Sequence, residues 1–156
     1  MSDTLDDMYR EIIMEHYRHP RGHHKLERVD VENSGKNPSC GDELELSLEL
    51  DNGVIKDVSV GCKGCAISVA SGSILSEVVK GKTLEETKKI AAAVKAILKG
   101  EKTPEDFPEE LGDLEALQGV RNFPVRIKCA LLSWVTLVNS LEAWEKKQAA
   151  ETATTE

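Results

Sequence analysis

Residues 43–61 read ELELSLELDNGVIKDVSVG. Polar and apolar side chains alternate strictly over residues 43–50, which is the pattern of a β-strand with one buried face. Residues 51–53, Asp-Asn-Gly, form a hairpin turn signal, and alternation resumes over residues 54–61. A further alternating stretch at residues 29–33 precedes this hairpin. The pattern predicts a small three-stranded antiparallel sheet with one solvated face, so helices should cover the other face.

Helical patterns flank the predicted sheet on both sides. Residues 5–17 carry apolar side chains at helical spacing, and residues 66–79 carry a second apolar stripe. Thr83 and Glu86 have the spacing of a capping box, which predicts a helix from there to Gly100. A last long helix is expected to start near Pro124. The fold class predicted is therefore α+β, with the helices packed on one face of the sheet.

The remaining segments read as connections. Residues 101–112 contain two prolines and many acidic side chains, which is typical of a loop, and residues 114–117 have the pattern of a short helix. The polar segment 148–156 is expected to be a disordered tail. A chain of 156 residues is long enough for one domain with a core and short for two, so we expect a single domain over residues 1–147.

Charge and hydropathy limit the classes of partner. The formal net charge is −8, from 28 acidic and 20 basic residues, which argues against nucleic acid or an anionic membrane as the main partner. The sequence contains no apolar run near the length of roughly 18–20 residues that spans a bilayer. The acidic start, residues 1–7, lacks the pattern of a signal peptide. We expect a cytoplasmic protein.

Four histidines cluster around the end of the first predicted helix: His16, His19, His23 and His24. Histidine clusters can bind metal, but this one surrounds a polar turn at Pro20. The sequence favours a solvated surface over a metal site here.

Four cysteines, Cys40, Cys62, Cys65 and Cys129, stand in a sequence without secretory features. Such cysteines are more often metal ligands or catalytic groups than disulfides. Cys65 and Cys129 fall at predicted helix starts, where the backbone dipole favours thiolate. Together with Asp42, the thiolates of Cys40, Cys65 and Cys129 would form a tetrahedral set that suits zinc, with iron as the second candidate. Spacing alone leaves a metal site and buried small hydrophobic residues equally open.

Cys62 and Cys65 form a C-x-x-C motif, which is found in redox pairs and in halves of zinc knuckles. A thioredoxin-like redox pair needs a parallel βαβ unit, whereas the strands here read as antiparallel. The redox pair is therefore disfavoured, and the role of Cys62 stays open.

Five motifs together resemble the IscU/NifU N-terminal family of iron–sulfur cluster assembly proteins, most closely its SufU branch. They occur in family order and are YREIIMEHYRHPR at 9–21, NPSCGD at 37–42, GCAISVAS at 64–71, LGDLEALQG at 111–119 and FPVRIKCA at 123–130. The resemblance covers nearly the whole chain before the tail. It implies the type of fold shared by SufE and NifU-like proteins.

The resemblance also implies a ligand set, namely Cys40, Asp42, Cys65 and Cys129. Scaffold-type members carry a histidine before the last of these cysteines, where this chain has Lys128. Their Leu-Pro-Pro-Val-Lys chaperone motif is replaced by FPVR at residues 123–126. These departures argue against binding of the dedicated Hsp70-type chaperone and for the SufU branch.

By resemblance, the chain is a zinc-binding sulfur acceptor and could act as a zinc-dependent sulfurtransferase. A SufS/IscS-like cysteine desulfurase is the implied donor, and a histidine of that partner could displace a cysteine from Zn²⁺. The freed thiolate, Cys40, would then attack the outer sulfur of the donor's persulfide. Arg126 is expected to assist docking or orient the site. Apo iron–sulfur proteins are the implied final acceptors.

Two alternatives remain open. In an IscU-type scaffold, the same four residues would hold a [2Fe–2S] cluster that is passed to apo-proteins, and the Asp42 ligand would keep that cluster labile. In a structural zinc adaptor, the site would be closed and inert. The adaptor is less favoured, because it leaves the carboxylate ligand unexplained.

Overall fold

The computed structural model describes residues 2–37, 41–101 and 109–154. The elements follow in the order α1 (Ser2–Arg18), β1 (Val31–Asn37), β2 (Asp42–Asp51), β3 (Val54–Lys63), α2 (Ala66–Val79), α3 (Leu84–Leu98), a 3₁₀ helix (Glu109–Asn122) and α4 (Pro124–Thr154). Among the described helices, none is long and apolar enough to cross a membrane.

The three strands form one sheet in the order β1-β2-β3, and both pairs are antiparallel. The β2–β3 turn has positive φ at both central residues, 52° at Asn52 and 78° at Gly53. Positive φ at these two positions matches the right-handed twist of a hairpin, which explains the Asn-Gly signal. The predicted α+β fold with a three-stranded antiparallel sheet is confirmed.

The alternation in β2 separates a core face from a solvent face. Leu44, Leu46 and Leu48 are buried, whereas Glu43 and Glu45 between them are exposed. The helices α2 and α4 pack against the sheet. Asp42, the first residue of β2, follows the leucine alternation and therefore also faces inward.

The helix α2 is the centre of the molecule and packs against α1, α4 and β3. Its sequence is rich in small and apolar residues, and Glu77 is its sole charged residue. A helix without an extended polar face is suited to burial on all sides. Ser71 stabilises its contact with α4, because its hydroxyl donates to the Ala130 carbonyl at 2.6 Å and accepts from Trp134 Nε1 at 3.1 Å.

The predicted helix starting at the Thr83 cap is confirmed, with both hydrogen bonds of the capping box to Glu86. The prediction of a loop over residues 101–112 is wrong from residue 109 onward, because a 3₁₀ helix begins there. Its later residues Leu114, Leu117 and Val120 are buried, so packing against α1 and α2 orders this segment. Residues 102–108 of the predicted loop lie outside the described residues.

The predicted disordered tail needs a correction as well. The helix α4 continues through Thr154, so residues 148–154 are helical. The Ala and Glu residues of this segment are strong helix formers and extend the preceding helix. Residues 155–156 lie outside the described residues, and the single domain over residues 1–147 stays a prediction.

The histidine cluster divides into one buried and three exposed side chains. His19, His23 and His24 are exposed as predicted, but the prediction of a solvated surface is wrong for His16, which is fully buried. Its Nδ1 lies 2.7 Å from Ser73 Oγ, and its Nε2 lies 2.7 Å from Asp113 Oδ2. His16 thus joins α1 to α2 and to the 3₁₀ helix.

Candidate metal centre

Three of the four predicted ligands converge at one point. The ligand atoms of Asp42, Cys65 and Cys129 all lie within 4.8 Å of one another. They come from the first residue of β2, the N-terminus of α2 and the second turn of α4. Cys40, the fourth predicted ligand, lies outside the described residues, and its role stays a prediction.

Asp42 is directed to this point by the sheet register. It pairs with Asn37 across the β1–β2 hairpin, and its side chain is buried, with 1% of the residue surface exposed. A buried carboxylate needs hydrogen-bond donors to remain ionised. The backbone N–H of Cys65 donates to Asp42 Oδ1 at 2.9 Å, and Asn37 Nδ2 lies 3.5 Å from Oδ2.

Gly64 makes this arrangement sterically feasible. A Cβ atom at this position would lie 2.1 Å from Asp42 Oδ1 and 3.0 Å from Asp42 Cα, both far inside van der Waals contact. The absence of a side chain lets the backbone before α2 pass directly over the carboxylate.

The surroundings favour the charged form of Asp42. Burial is the largest single effect and raises its pKa, but the hydrogen bonds act in the opposite direction. The backbone N–H of Cys65 and the side chains of Cys129, Ser68 and Cys65 together lower the pKa below its ordinary value. Asp42 is therefore a carboxylate at neutral pH, as a metal ligand must be.

The two described cysteines of the centre differ in access. Cys65 is the N-cap residue of α2, is half-buried, and has its Sγ 3.6 Å from Ser68 Oγ. Cys129 is fully buried, and Asn37 Nδ2 lies 3.6 Å from its Sγ. Cys65 is therefore the more accessible of the two thiols.

Two polar residues around the centre were not identified from the sequence. Asn37 contacts both Asp42 and Cys129, and Ser68 contacts Cys65. Asn37 directly precedes the Pro-Ser-Cys stretch, and Ser68 follows Cys65 by three residues, which is one helical turn. That helical spacing is a usable sequence signal for Ser68, whereas the position of Asn37 depends on the strand register.

The donor set of this centre fits zinc or iron. In a tetrahedral zinc site with bonds of about 2.0–2.3 Å, neighbouring ligand atoms lie about 3.3–3.8 Å apart. A cluster with all three atoms within 4.8 Å needs only a small contraction to reach that geometry. Two thiols and one carboxylate supply three ligands, and a fourth ligand would complete the tetrahedron.

The other two residues singled out from the sequence lie nearby but outside this cluster. Arg126 is exposed and precedes Cys129 by three residues on α4, so both lie on the same side of the helix. Cys62 is half-buried at the end of β3, and burial raises the pKa of its thiol. The described cysteines, Cys62, Cys65 and Cys129, form no disulfide.

Comparison with known proteins identifies relatives along nearly the whole chain. Residues 8–149 match the family described as NifU-like N terminal domain. The zinc-dependent sulfurtransferase SufU of Bacillus subtilis is 40% identical over 134 residues, which are 86% of this chain and 89% of that protein. The iron–sulfur cluster assembly scaffold protein IscU of Streptococcus pyogenes is 34% identical over 138 residues, 88% of this chain and 85% of that protein.

The fold also has a counterpart among solved structures. The crystal structure of the N-terminal part of a nitrogen-fixing NifU-like protein from Brucella abortus superimposes with a TM-score of 0.81. The alignment covers 92% of this chain and 98% of that chain, at 24% sequence identity. At this identity the likeness establishes the fold.

Proposed function

This chain belongs to the family of NifU-like N-terminal domains, and we propose that it accepts sulfur from a cysteine desulfurase at a zinc centre formed by Cys40, Asp42, Cys65 and Cys129. The family predicted from the sequence motifs is thereby confirmed. Similarity to the zinc-dependent sulfurtransferase SufU supports the choice of reaction and of metal.

The observation that carries the proposal is the close approach of Asp42, Cys65 and Cys129, of which Asp42 and Cys129 are buried and Cys65 is half-buried. A structural zinc module ordinarily uses cysteine and histidine, and a carboxylate is a harder and more exchangeable ligand. A site with one such ligand can open without unfolding. This property suits a centre at which a thiol is released and bound again.

The exposure of each cysteine bears on which thiol a partner's persulfide can reach. Cys129 is fully buried, so a persulfide carried by another protein cannot reach its sulfur. Cys65 is half-buried, and its backbone N–H is engaged with Asp42, which fits a residue that holds the site together. By the family resemblance, Cys40, the third thiol of the proposed set, is our candidate for the acceptor.

The reaction is a thiol–persulfide exchange. The Cys40 thiolate attacks the outer sulfur of the donor persulfide, the bond between that sulfur and the donor cysteine breaks, and the donor leaves as a thiolate. Cys40 then carries the persulfide, and no net oxidation occurs. Bound zinc would keep the site cysteines deprotonated at neutral pH. The Asp42 carboxylate, held by the Cys65 N–H, remains anionic throughout.

The surface next to the centre suits a protein partner. Phe123 and Val125 flank Pro124 at the start of α4 and are 56% and 70% exposed. Apolar side chains at such exposure, next to a candidate site, are typical of an interaction surface. Arg126 in the same turn could orient the desulfurase or assist the transfer. Apo iron–sulfur proteins are the proposed final acceptors, and a free-thiol site of this kind requires a reducing compartment such as the cytoplasm.

A scaffold function is the second candidate. The same ligands would then receive iron and sulfide as substrates and hold a [2Fe–2S] cluster for transfer. The Asp42 ligand favours it as well, because a carboxylate makes cluster release easier than a fourth thiolate does. On this alternative, Asp42→Ala should extend the lifetime of a reconstituted cluster, and an unchanged lifetime would argue against the role.

The structural adaptor predicts a different response to chelation. If the centre only stabilised the fold, removing the metal would unfold the chain. An exchange centre should lose its metal to a chelator while circular dichroism reports an intact fold, because the core of leucines under α2 and α4 does not include the ligands.

The test combines metal content with desulfurase turnover. The purified protein is assayed for zinc and iron, then added to a cysteine desulfurase with cysteine and a reductant, and alanine is measured. We expect stoichiometric zinc and strong stimulation, abolished in Cys40→Ala and retained in the control Lys63→Ala, an exposed residue outside the ligand set. Undiminished stimulation by Cys40→Ala would exclude Cys40. Weak stimulation with a coloured cluster after addition of iron and sulfide would identify a scaffold.

A further inference from the structure

The ligand set of the proposed zinc centre uses three of the four cysteines and does not include Cys62. Cys62 pairs with Leu44 across the β2–β3 ladder and points to the same, inner face of the sheet as Leu44. Asp42 lies on that face too, two residues before Leu44. Diagonal neighbours of this kind are within reach of each other in an antiparallel sheet. Cys62 therefore borders the metal centre.

A shared hydroxyl links Cys62 to the centre. Ser68 Oγ lies 3.6 Å from Cys65 Sγ and is also a hydrogen-bond partner of the Cys62 thiol. The sulfur of Cys62 is nevertheless not one of the three ligand atoms that lie within 4.8 Å of one another. The Cys62 thiol therefore lies next to the centre but outside the ligand set.

Cys62 also faces a second opening of the molecule. It lines a pocket between the segment after α1 and the β3–α2 layer, together with Arg21, His23 and Val69. The Arg21 side chain interacts with Glu15 at 3.5 Å and Glu77 at 4.0 Å, so the cation at the rim is held in place. Cys62 thus borders both the centre and this pocket.

We propose that Cys62 is a second sulfur carrier, which takes the outer sulfur from a persulfide formed at the metal centre and presents it in this pocket to a low-molecular-weight thiol. This step rests on the proposed sulfur-acceptor function. It uses the C-x-x-C motif as a relay of thiols, and it needs no disulfide between Cys62 and Cys65.

The two exchanges balance without an oxidant. The Cys62 thiol gives up its proton to solvent and its sulfur attacks the outer sulfur of the persulfide, while the sulfur–sulfur bond to the donor cysteine breaks and that cysteine leaves as a thiolate. A small thiol then attacks the outer sulfur on Cys62 in the same way. It leaves as a small-molecule persulfide and regenerates the Cys62 thiol.

The chain lends itself to a direct test, because each cysteine falls on a different tryptic peptide. Lys36, Lys56, Lys63 and Lys128 separate the four cysteines, and Lys63 lies between Cys62 and Cys65. The zinc-loaded protein is given a limiting pulse of cysteine and desulfurase, alkylated at successive times and digested, and each peptide is weighed for one added sulfur atom. Cys62→Ser is compared with Lys63→Arg, which keeps the cleavage site. Glutathione serves as the small thiol.

The relay predicts that sulfur appears first at Cys40 and later at Cys62. In Cys62→Ser the sulfur should stay at Cys40, and its release to glutathione should slow several-fold at unchanged zinc content. Sulfur at Cys40 but never at Cys62, with release from Cys62→Ser at the wild-type rate, would overturn the relay and leave the proposed function intact. Sulfur on no cysteine at all would refute both.

Discussion

Substitution of Gly64 by alanine perturbs the candidate centre without replacing any of its ligands. The new Cβ would lie 2.1 Å from Asp42 Oδ1, 2.8 Å from Asp42 Cγ and 3.0 Å from Asp42 Cα. Rotating the carboxylate away relieves the first two contacts but not the third, because Cα belongs to the backbone of β2. The carboxylate must therefore move, and the start of β2 or of α2 must shift with it.

The Gly64→Ala substitution should lower both the stability of the protein and its affinity for zinc, and the two effects can be measured separately. Inserting a methyl group into such a contact costs about 1–3 kcal/mol of the free energy of unfolding. Moving the carboxylate also breaks the 2.9 Å hydrogen bond from the Cys65 N–H, which orients Asp42 toward the two sulfurs. Loss of a group that orients a metal ligand typically lowers metal affinity about 10–100-fold. Urea unfolding measures the first part and zinc competition with a chelator the second.

Gly61 provides the matched control. It lies three residues earlier on β3, its φ is not positive, and a Cβ there would meet nothing within 4 Å. Gly61→Ala should therefore leave zinc affinity unchanged and stability equal or slightly higher, because alanine loses less backbone entropy than glycine. Wild-type zinc affinity in Gly64→Ala would refute the argument that Asp42 is positioned as a ligand by this contact.

Two further predictions concern stability. Ser71→Ala leaves the buried Trp134 indole N–H without its 3.1 Å acceptor and should cost about 1–3 kcal/mol in urea unfolding; a change near zero would show that the hydroxyl is dispensable. The pKa of Asp30 is lowered by hydrogen bonds from the Arg28 side chain and the Leu50 N–H. The wild type should therefore be more stable than Asp30→Asn at neutral pH, and this difference in the free energy of unfolding should disappear as the pH falls from about 4 through the folded pKa. A difference that does not depend on pH would contradict this.

The sheet and the main helices could be predicted because their signals are local. Alternation over residues 43–50 assigns each leucine to the core, and Glu43 and Glu45 to solvent, and any register that keeps this separation gives the same face. Glu49, which the alternation also assigns to solvent, is instead buried and forms an ion pair with Lys56. The Asn-Gly turn and the Thr83 capping box are likewise contained in a few adjacent residues. Interactions between neighbouring residues in the sequence are therefore sufficient to predict these elements.

The hydrogen-bond partners that hold His16 in the interior could not be predicted from its neighbours in sequence. Its partners Ser73 and Asp113 lie 57 and 97 residues away, and the sequence around it is a polar helix end. The 3₁₀ helix at Glu109–Asn122 is similar, because its order comes from packing against α1 and α2. Tertiary contacts override the local composition in both places.

The candidate site was predicted through the family motifs and not through spacing. Asp42 and Cys129 are separated by most of the chain, and no pattern within either segment requires them to meet. The order β1-β2-β3 and the packing of α2 and α4 on the sheet bring them together. Asn37, which contacts both, was missed because its role depends on its pairing with Asp42.

X-ray absorption at the zinc edge of the purified protein tests the proposed centre most directly. The proposed ligand set predicts three sulfur scatterers at about 2.3 Å and one oxygen at about 2.0–2.2 Å. Asp42→Ala should change the oxygen shell and leave the three sulfurs in place. A shell of four sulfurs, with Cys62 in place of Asp42, or a shell dominated by nitrogen and oxygen would contradict the account.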